Sequence, residues 1–378
     1  MLTFLFANLT FRLVGALATA FILMLVVMPR LIAWLKRKKF GESGAKNQGA
    51  AVVDAMREGK KGTPTMGGLG IVLCIAATTL LWCEPQAPRT WLLLYGLLSF
   101  ALLGFLDDRT KIFKGSKGTP LFVKLGIQFA AALGCGIGLW LVDAHYAATL
   151  NPGGAASYAK ELQGATYTVT LGTHMVDLPF VSIQNALYLG GFSVLWTMFV
   201  TMACANGVNF TDGMDGLAAG TMVVAALAFA VIAYLVGRVD AAQYLDVFYV
   251  PGGGDIAVFC TAVAGACLGF LWFNCSPAEV FMGDTGSQAL GGILGLVALS
   301  AKQEFLVLLV GAVFVIEAAS VALQIASFRL RGGKRIFLCA PIHHHFQMLG
   351  WSETKIVIRF WILAACCALL AVATLKLG

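Results

Sequence analysis

Residues 256–273 read IAVFCTAVAGACLGFLWF, eighteen positions without a charge. At 1.5 Å per residue such a run forms a helix long enough to cross most of a ~30 Å hydrocarbon core. It ends at Asn274, and a few residues on comes Phe281-Met-Gly-Asp284-Thr-Gly-Ser287. An apolar span followed directly by a carboxylate among small residues is the pattern that repeats through this chain. Of its 378 residues 59% are hydrophobic and 12% charged, against roughly a quarter charged in soluble domains. Mean hydropathy is +0.84. A polytopic helical membrane protein follows.

Apolar windows punctuated by Gly, Pro and charge predict about ten helices. They fall at roughly 11–35, 67–83, 90–107, 121–142, 186–207, 215–237, 256–273, 285–301, 304–328 and 356–376. The first segment is expected to stay attached, because it ends in Arg30 and Lys36-Arg-Lys-Lys39 and lacks a small-residue cleavage site. The ten cysteines lie mostly inside apolar runs and form no C-x-x-C pair, which reads as small buried hydrophobes rather than metal or redox chemistry. No fixed-period repeat and no soluble domain stand out, so residues 1–378 are taken as one domain.

Orientation is read from the basic residues in the loops. Twenty of the 26 Lys and Arg fall on one side: Arg30, eight between 36 and 66, five between 109 and 124, and six between 329 and 359. The other side holds Arg12, Arg89, Lys160, Arg238, Lys302 and Lys376. The first side is therefore predicted cytoplasmic and both termini periplasmic. Cytoplasmic loops are expected at 36–66, 107–120, 207–215, 274–287 and 329–355. A periplasmic insert is expected at about 143–185, where Tyr167-Thr-Val-Thr-Leu171 alternates like a short β-hairpin. His145 and His174 there read as surface residues. The charge of the 36–66 loop favours anionic head groups, and the net charge of +7 needs no nucleic acid to explain it.

Four polar clusters then share the cytoplasmic face. Asp107-Asp108 end the third helix, where the helix dipole disfavours anions, so a divalent cation or Lys111, Lys114, Lys117 and Lys124 must compensate. Asn206 and Asn209 precede Asp212-Gly-Met-Asp215-Gly, in which Asp212 is a candidate cap for the next helix. Asp284 opens the eighth helix, whose free N–H groups suit phosphate, and is the natural Mg²⁺ ligand; Phe281 offers a flat face to a base. His343-His344-His345 cannot all face one metal and suit anion binding or proton transfer, with Arg329, Arg331, Lys334 and Arg335 just upstream. Lys60-Lys-Gly-Thr63-Pro-Thr65 adds a weaker phosphate-like signal. Carboxylates for a metal, cations for phosphates and a stacking ring together describe phosphoryl transfer from a nucleotide-bound donor to a membrane-embedded acceptor.

These motifs resemble those of the polyprenyl-phosphate N-acetylhexosamine-1-phosphate transferases. The match rests on Gly62-Thr-Pro-Thr-Met-Gly-Gly68, Asp107-Asp-x-x-Lys111, Asn206-x-x-Asn209-x-x-Asp212-Gly-x-Asp215-Gly-Leu217, Phe281-Met-Gly-Asp284-Thr-Gly-Ser287 and Ala340-Pro-Ile-His343-His-His-Phe346. The histidine form favours the phospho-N-acetylmuramoyl-pentapeptide branch. The resemblance implies a Mg²⁺-dependent enzyme of the bacterial inner membrane, working as a homodimer. It would pass phospho-MurNAc-pentapeptide from UDP-MurNAc-pentapeptide to undecaprenyl phosphate, giving lipid I and UMP for peptidoglycan synthesis, and with it cell shape and division. It further implies Asp284 on Mg²⁺ with Asp107 on the lipid phosphate. Asp108 would act at the metal or pyrophosphate, and Lys111 and Lys124 on phosphates. Lys60, Asp215, Asn274 and Phe281 would form a uridine pocket with Thr65, Asn209 and Asp212 beside it, and His343 and His344 would lie near the sugar phosphate. Two other readings compete. One is a UDP-GlcNAc-dependent relative; the other is a secondary transporter, disfavoured because the carboxylates gather at one face without repeated halves.

Overall fold

The computed structural model describes residues 8–38, 62–114, 118–151, 157–162, 165–179 and 181–375. Ten long helices occur among them: α1 Leu9–Arg37, α2 Gly68–Trp82, α3 Pro88–Lys114, α4 Leu121–Leu150, α5 Ser193–Thr211, α6 Leu217–Val236, α7 Gly253–Asn274, α8 Gly283–Ser300, α9 Ala312–Leu330 and α10 Glu353–Thr374. Each falls on one of the ten expected windows. Eight are long and apolar enough to cross a membrane by length and composition, the exceptions being α2 and α8. The exception at α8 has a physical reason. Its residues from Thr285 to Ser300 are all buried, so it meets protein on every side and tolerates glycines and polar groups that lipid would penalise.

Helix α8 packs against α3, α5 and α2, while α7 packs against α1, α6 and α2. The two central helices thus share α2 as a neighbour. Segment 64–68 also hydrogen-bonds to 281–282: Phe281 N–H donates to Pro64, Gly67 N–H to Phe281 and Gly68 N–H to Met282, each at 2.8 Å. These bonds fix the start of α2 against the start of α8.

Several boundaries differ from expectation. Helix α3 runs on to Lys114 rather than stopping at 107, so Asp107 and Asp108 sit inside it, away from the unfavourable end of its dipole. Hydropathy stops at the first charge, whereas the chain continues wherever the charge finds a partner. Helix α4 extends to Leu150. The fifth helix starts at Ser193, after 3₁₀ turns at Ile183–Asn185 and Gly190–Phe192. Residues 304–310 form a 3₁₀ turn and a four-residue helix, and the ninth helix begins only after Gly311. Asp212 is not the cap of α6: it closes α5, and Gly216, at φ +80°, precedes α6. Only a residue without a Cβ adopts that angle freely.

The expected hairpin is present. Strand β1 Ser157–Leu162 pairs antiparallel with β2 Ala165–Thr170, with Lys160 opposite Tyr167. A smaller pair joins β3 Met175–Val176 to β4 Leu187–Tyr188. The helix ends nearest this insert are tied by ion pairs, all buried except at the exposed Glu84. Arg12 meets Asp255 and Glu84, and Arg89 and Lys302 share Asp143. The polar clusters picked out from the sequence gather at the opposite ends of the helices.

Candidate active site

Helices α3 and α8 meet at Gly104. A Cβ there would collide with the Asp284 carbonyl and the Thr285 nitrogen. That close approach sets Asp107 and Asp108, one turn further along α3, beside the first turn of α8. The two neighbouring aspartates then do different things, as their ~100° separation around a helix requires.

Asp107 is buried and belongs to a four-charge cluster. Lys111 Nζ lies 3.0 Å from Asp107 Oδ2 and 2.9 Å from Asp284 Oδ1. Lys124 Nζ, from α4, lies 3.0 Å from the same Asp107 oxygen and 2.9 Å from Asp284 Oδ2. Thr119 N–H donates to the other Asp107 oxygen at 2.8 Å. Two carboxylates and two ammoniums thus neutralise one another. The Lys111 and Lys124 side chains are 42% and 21% accessible, against 4% for Asp107 and 14% for Asp284. An anion reaching this cluster meets the lysines first.

Asp108 is buried and accepts three hydrogen bonds from α8. They come from Asp284 N–H at 3.0 Å, Thr285 N–H at 2.9 Å and Thr285 Oγ1 at 2.6 Å. It therefore caps a helix from outside, satisfying N–H groups that the first turn leaves free. Its effect on the site passes through the backbone that carries Asp284. Gly283, with φ +75°, lies against Asp108 and Thr65.

The remaining polar residues form a network beside this cluster. Asn209 Nδ2 donates to Ser287 Oγ at 2.8 Å, and Ser287 Oγ donates to the Gly283 carbonyl at 3.1 Å. Asn274 is buried and bridges two segments: its Oδ1 accepts from Gly216 N–H at 3.0 Å, and its Nδ2 donates to the Val280 carbonyl at 2.9 Å. Asp215 Oδ2 accepts from Ala278 N–H at 3.2 Å, while Asp215 N–H donates to Glu353 Oε1 at 2.8 Å. The turn 212–216 is thus fastened to the ends of α7 and α10, with partly buried Phe281 just beyond Val280.

The three histidines point to three different partners. His343 lies 3.1 Å by Nδ1 from Glu317 Oε2, both side chains fully buried. His344 Nδ1 is 2.7 Å from Gln347 Oε1, and His345 Nδ1 accepts from Leu338 N–H at 3.2 Å. Lys60 lies outside the described residues. The structure thus brings together Thr65, Asp107, Asp108, Lys111, Lys124 and Asp284, and ties Asn209 to them through Ser287. Asp215 and Asn274 join at a neighbouring turn that also carries Asp212.

Sequence reasoning missed Gly104, Glu353 and Glu317, and gave Thr285 and Ser287 no role beyond their place in the motif around Asp284. Of the three missed, Glu317 carried a signal: it is the single acid in an otherwise apolar span, which by itself marks a site. Among the described residues no group of three or more His, Cys, Asp or Glu is arranged to hold a metal. Asp107 and Asp284 are hard carboxylate donors of the kind Mg²⁺ takes, and it seldom needs an all-protein cage.

A family model described as glycosyl transferase family 4 matches residues 90–302, a stretch that includes both aspartates of α3 and Asp284. Fold and site together define a helical membrane transferase of that class. Its relatives narrow the class. The phospho-N-acetylmuramoyl-pentapeptide-transferase of Desulfotalea psychrophila is 44% identical over 374 residues, covering 98% of this chain and 95% of the relative. The enzymes of that name from Solidesulfovibrio magneticus and Nitratidesulfovibrio vulgaris are each 42% identical with the same coverage. The chain belongs to the phospho-N-acetylmuramoyl-pentapeptide-transferase family.

Proposed function

We propose that this chain transfers phospho-MurNAc-pentapeptide from UDP-MurNAc-pentapeptide to undecaprenyl phosphate, releasing UMP and forming lipid I. The observation that carries this reading is the cluster of Asp107, Asp284, Lys111 and Lys124, with its lysines facing outward. Ten membrane crossings, both termini periplasmic and a cytoplasmic site in the bacterial inner membrane complete the proposal. Twenty basic residues on the site's side of the chain support that orientation.

An oxygen of the lipid phosphate attacks the sugar-bearing phosphorus of the donor, and UMP leaves with the bridging oxygen. Little covalent work falls to the protein, so position and charge dominate. Lys111 and Lys124 are held between carboxylates at a partly dehydrated site, ready to turn toward a diphosphate. A phosphate monoester has shed most of its second proton at neutral pH. Asp107 therefore serves to align the two lysines and the incoming phosphate more than to remove a proton. Asp284, together with Asp107, would hold Mg²⁺, which when bound would supply further neutralisation of the diphosphate. The turn at Asp212–Asp215, with Phe281 near it, receives the uridine. His344, on the helix Ile342–Met348, faces the sugar phosphate.

The test supplies purified protein with undecaprenyl phosphate and either UDP-MurNAc-pentapeptide or UDP-GlcNAc. Release of UMP from the first alone supports the proposal. Release from UDP-GlcNAc alone assigns the chain to the sister reaction.

A further inference from the structure

We infer that Glu317 and His343 are a positioning pair that holds the Asp212–Gly216 turn, and thereby sets affinity for the nucleotide part of the donor. This rests on the reading of that turn as the nucleotide side. Glu317 is the only acidic residue of α9, and its side chain and that of His343 are fully buried. A carboxylate so placed is expensive unless a partner compensates it. Around it lies the smaller of the two cores, which includes Val313, one turn earlier on α9, together with Met214 and Leu217.

The compensation comes from His343. Its Nδ1 stands 3.1 Å from Glu317 Oε2, within hydrogen-bond distance though short of hydrogen-bond alignment, and among the described residues neither side chain has another hydrogen-bond partner. The opposite ring nitrogen abuts the turn: a Cβ added at Gly213 would collide with His343 Nε2 and Cε1. Gly213 stands between Asp212 and Met214, so the ring occupies the space that a side chain would fill.

Three elements therefore grip one turn. Asn274 of α7 takes Gly216 N–H, Glu353 of α10 takes Asp215 N–H, and His343, backed by Glu317, presses on Gly213. His343 itself is sealed from substrate. Its influence passes through the turn, and a change at Glu317 should read out as altered donor affinity rather than altered chemistry.

The experiment compares full-length Glu317→Leu, Glu317→Gln and Gly213→Ala in detergent, measuring kcat and KM for UDP-MurNAc-pentapeptide and, separately, UMP affinity by calorimetry. Glu317→Leu should raise KM and weaken UMP binding about tenfold, the scale of leaving one buried polar group without its partner, with kcat within about threefold of the parent. Glu317→Gln keeps an acceptor for Nδ1–H and should restore both constants to within about threefold. Gly213→Ala, which displaces the ring from the other side, should reproduce the Leu phenotype and carries the test if Glu317→Leu does not fold. Unchanged UMP affinity in both Glu317→Leu and Gly213→Ala overturns the inference. So does a fall in kcat at constant KM, which would put His343 at the reacting phosphates. If the parent protein binds UMP but turns over neither sugar nucleotide, the proposed reaction fails while the UMP measurements still decide this inference.

Discussion

Replacing Asp108 by asparagine changes one oxygen to an NH₂ group and leaves the shape of the side chain intact. The carboxylate it replaces takes two N–H bonds and one O–H bond from the first turn of α8, at 3.0, 2.9 and 2.6 Å. Asparagine has one acceptor oxygen. Turned to keep both Thr285 donors, it aims its own NH₂ at the Asp284 N–H, two donors face to face in a buried site. A hydrogen bond to a charged group is worth about 1.5–3 kcal/mol, and a buried donor left unmade costs a similar amount. The lost charge at a helix N-terminus adds about 0.3–1 kcal/mol. Allowing for relaxation, about 3 kcal/mol is expected, and it falls on the backbone that carries Asp284. If all of it appears in placing Asp284, kcat drops about a hundredfold, and the thermal midpoint falls by several degrees. Thr285→Val removes only the hydroxyl donor and should cost about tenfold or less. UMP release with saturating donor and acceptor, beside a melting curve in the same detergent, gives both quantities. A D108N enzyme that is inactive yet melts like the parent would place Asp108 on the substrate and refute this reasoning.

Lys124→Met leaves two carboxylates sharing one ammonium; kcat should fall between about a hundredfold and a thousandfold. Lys124→Arg should rescue little, because a planar fork cannot replace a compact ammonium between two oxygens. Gly104→Ala puts a methyl into the α8 backbone and should destabilise by about 1–3 kcal/mol or more, seen as a lower melting midpoint with activity lost in parallel. Stability should also depend on pH through the far end of the bundle. Burial pushes the Glu304 carboxyl up to about 7, offset in part by Lys302 and by Trp196 Nε1 at 3.3 Å, and burial raises Asp177 to about 6. The folded state thus holds these protons more tightly than the unfolded chain. Their contribution is full below about pH 4 and is lost as pH rises through 6 and 7. For Glu304 it amounts to about 3 kcal/mol at most. The melting midpoint should be lower at pH 8 than at pH 5, and Glu304→Gln should flatten that difference; a slope unchanged by the substitution would dissociate Glu304 from it.

The helices were legible because lipid imposes a uniform demand: long apolar runs stand out whatever they pack against. The reading slipped where that demand stops. Helix α3 continues past two aspartates because Lys111, Lys124 and the start of α8 satisfy them, and no window average sees a partner 177 residues away. The acids of the site were legible for the same reason, as charges at the edge of hydrocarbon. Their division of labour was not. Asp108 is distinguished from Asp107 by backbone N–H groups, which every residue but proline offers and no sequence marks. Gly104 is one of 43 glycines, and only the approach of α8 sets it apart. Asn274, which the family resemblance places in a uridine pocket, is engaged in the structure as a bridge between Gly216 and Val280. In the proposed pocket it would act through the turn it holds.

The two ends of the bundle use similar charges to different ends, and side-chain chemistry explains the contrast. Away from the site, Arg89 spreads its guanidinium over Pro251 O at 2.8 Å, Ser300 O at 3.2 Å and Asp143 Oδ1 at 3.1 Å. A buried planar fork with each arm occupied cannot turn to a new partner without leaving several groups unpaired. At the site the cations are lysines on flexible stems, partly exposed, each bonded among the described residues to carboxylates alone. When a diphosphate arrives, either ammonium can exchange one anionic oxygen for another with little loss, because the second carboxylate and the second lysine remain to balance what it leaves. A locked arginine at position 111 or 124 would stiffen this corner and slow that exchange. The opposite substitution, Arg89→Lys, would leave carbonyls without donors and weaken the fold while sparing the chemistry.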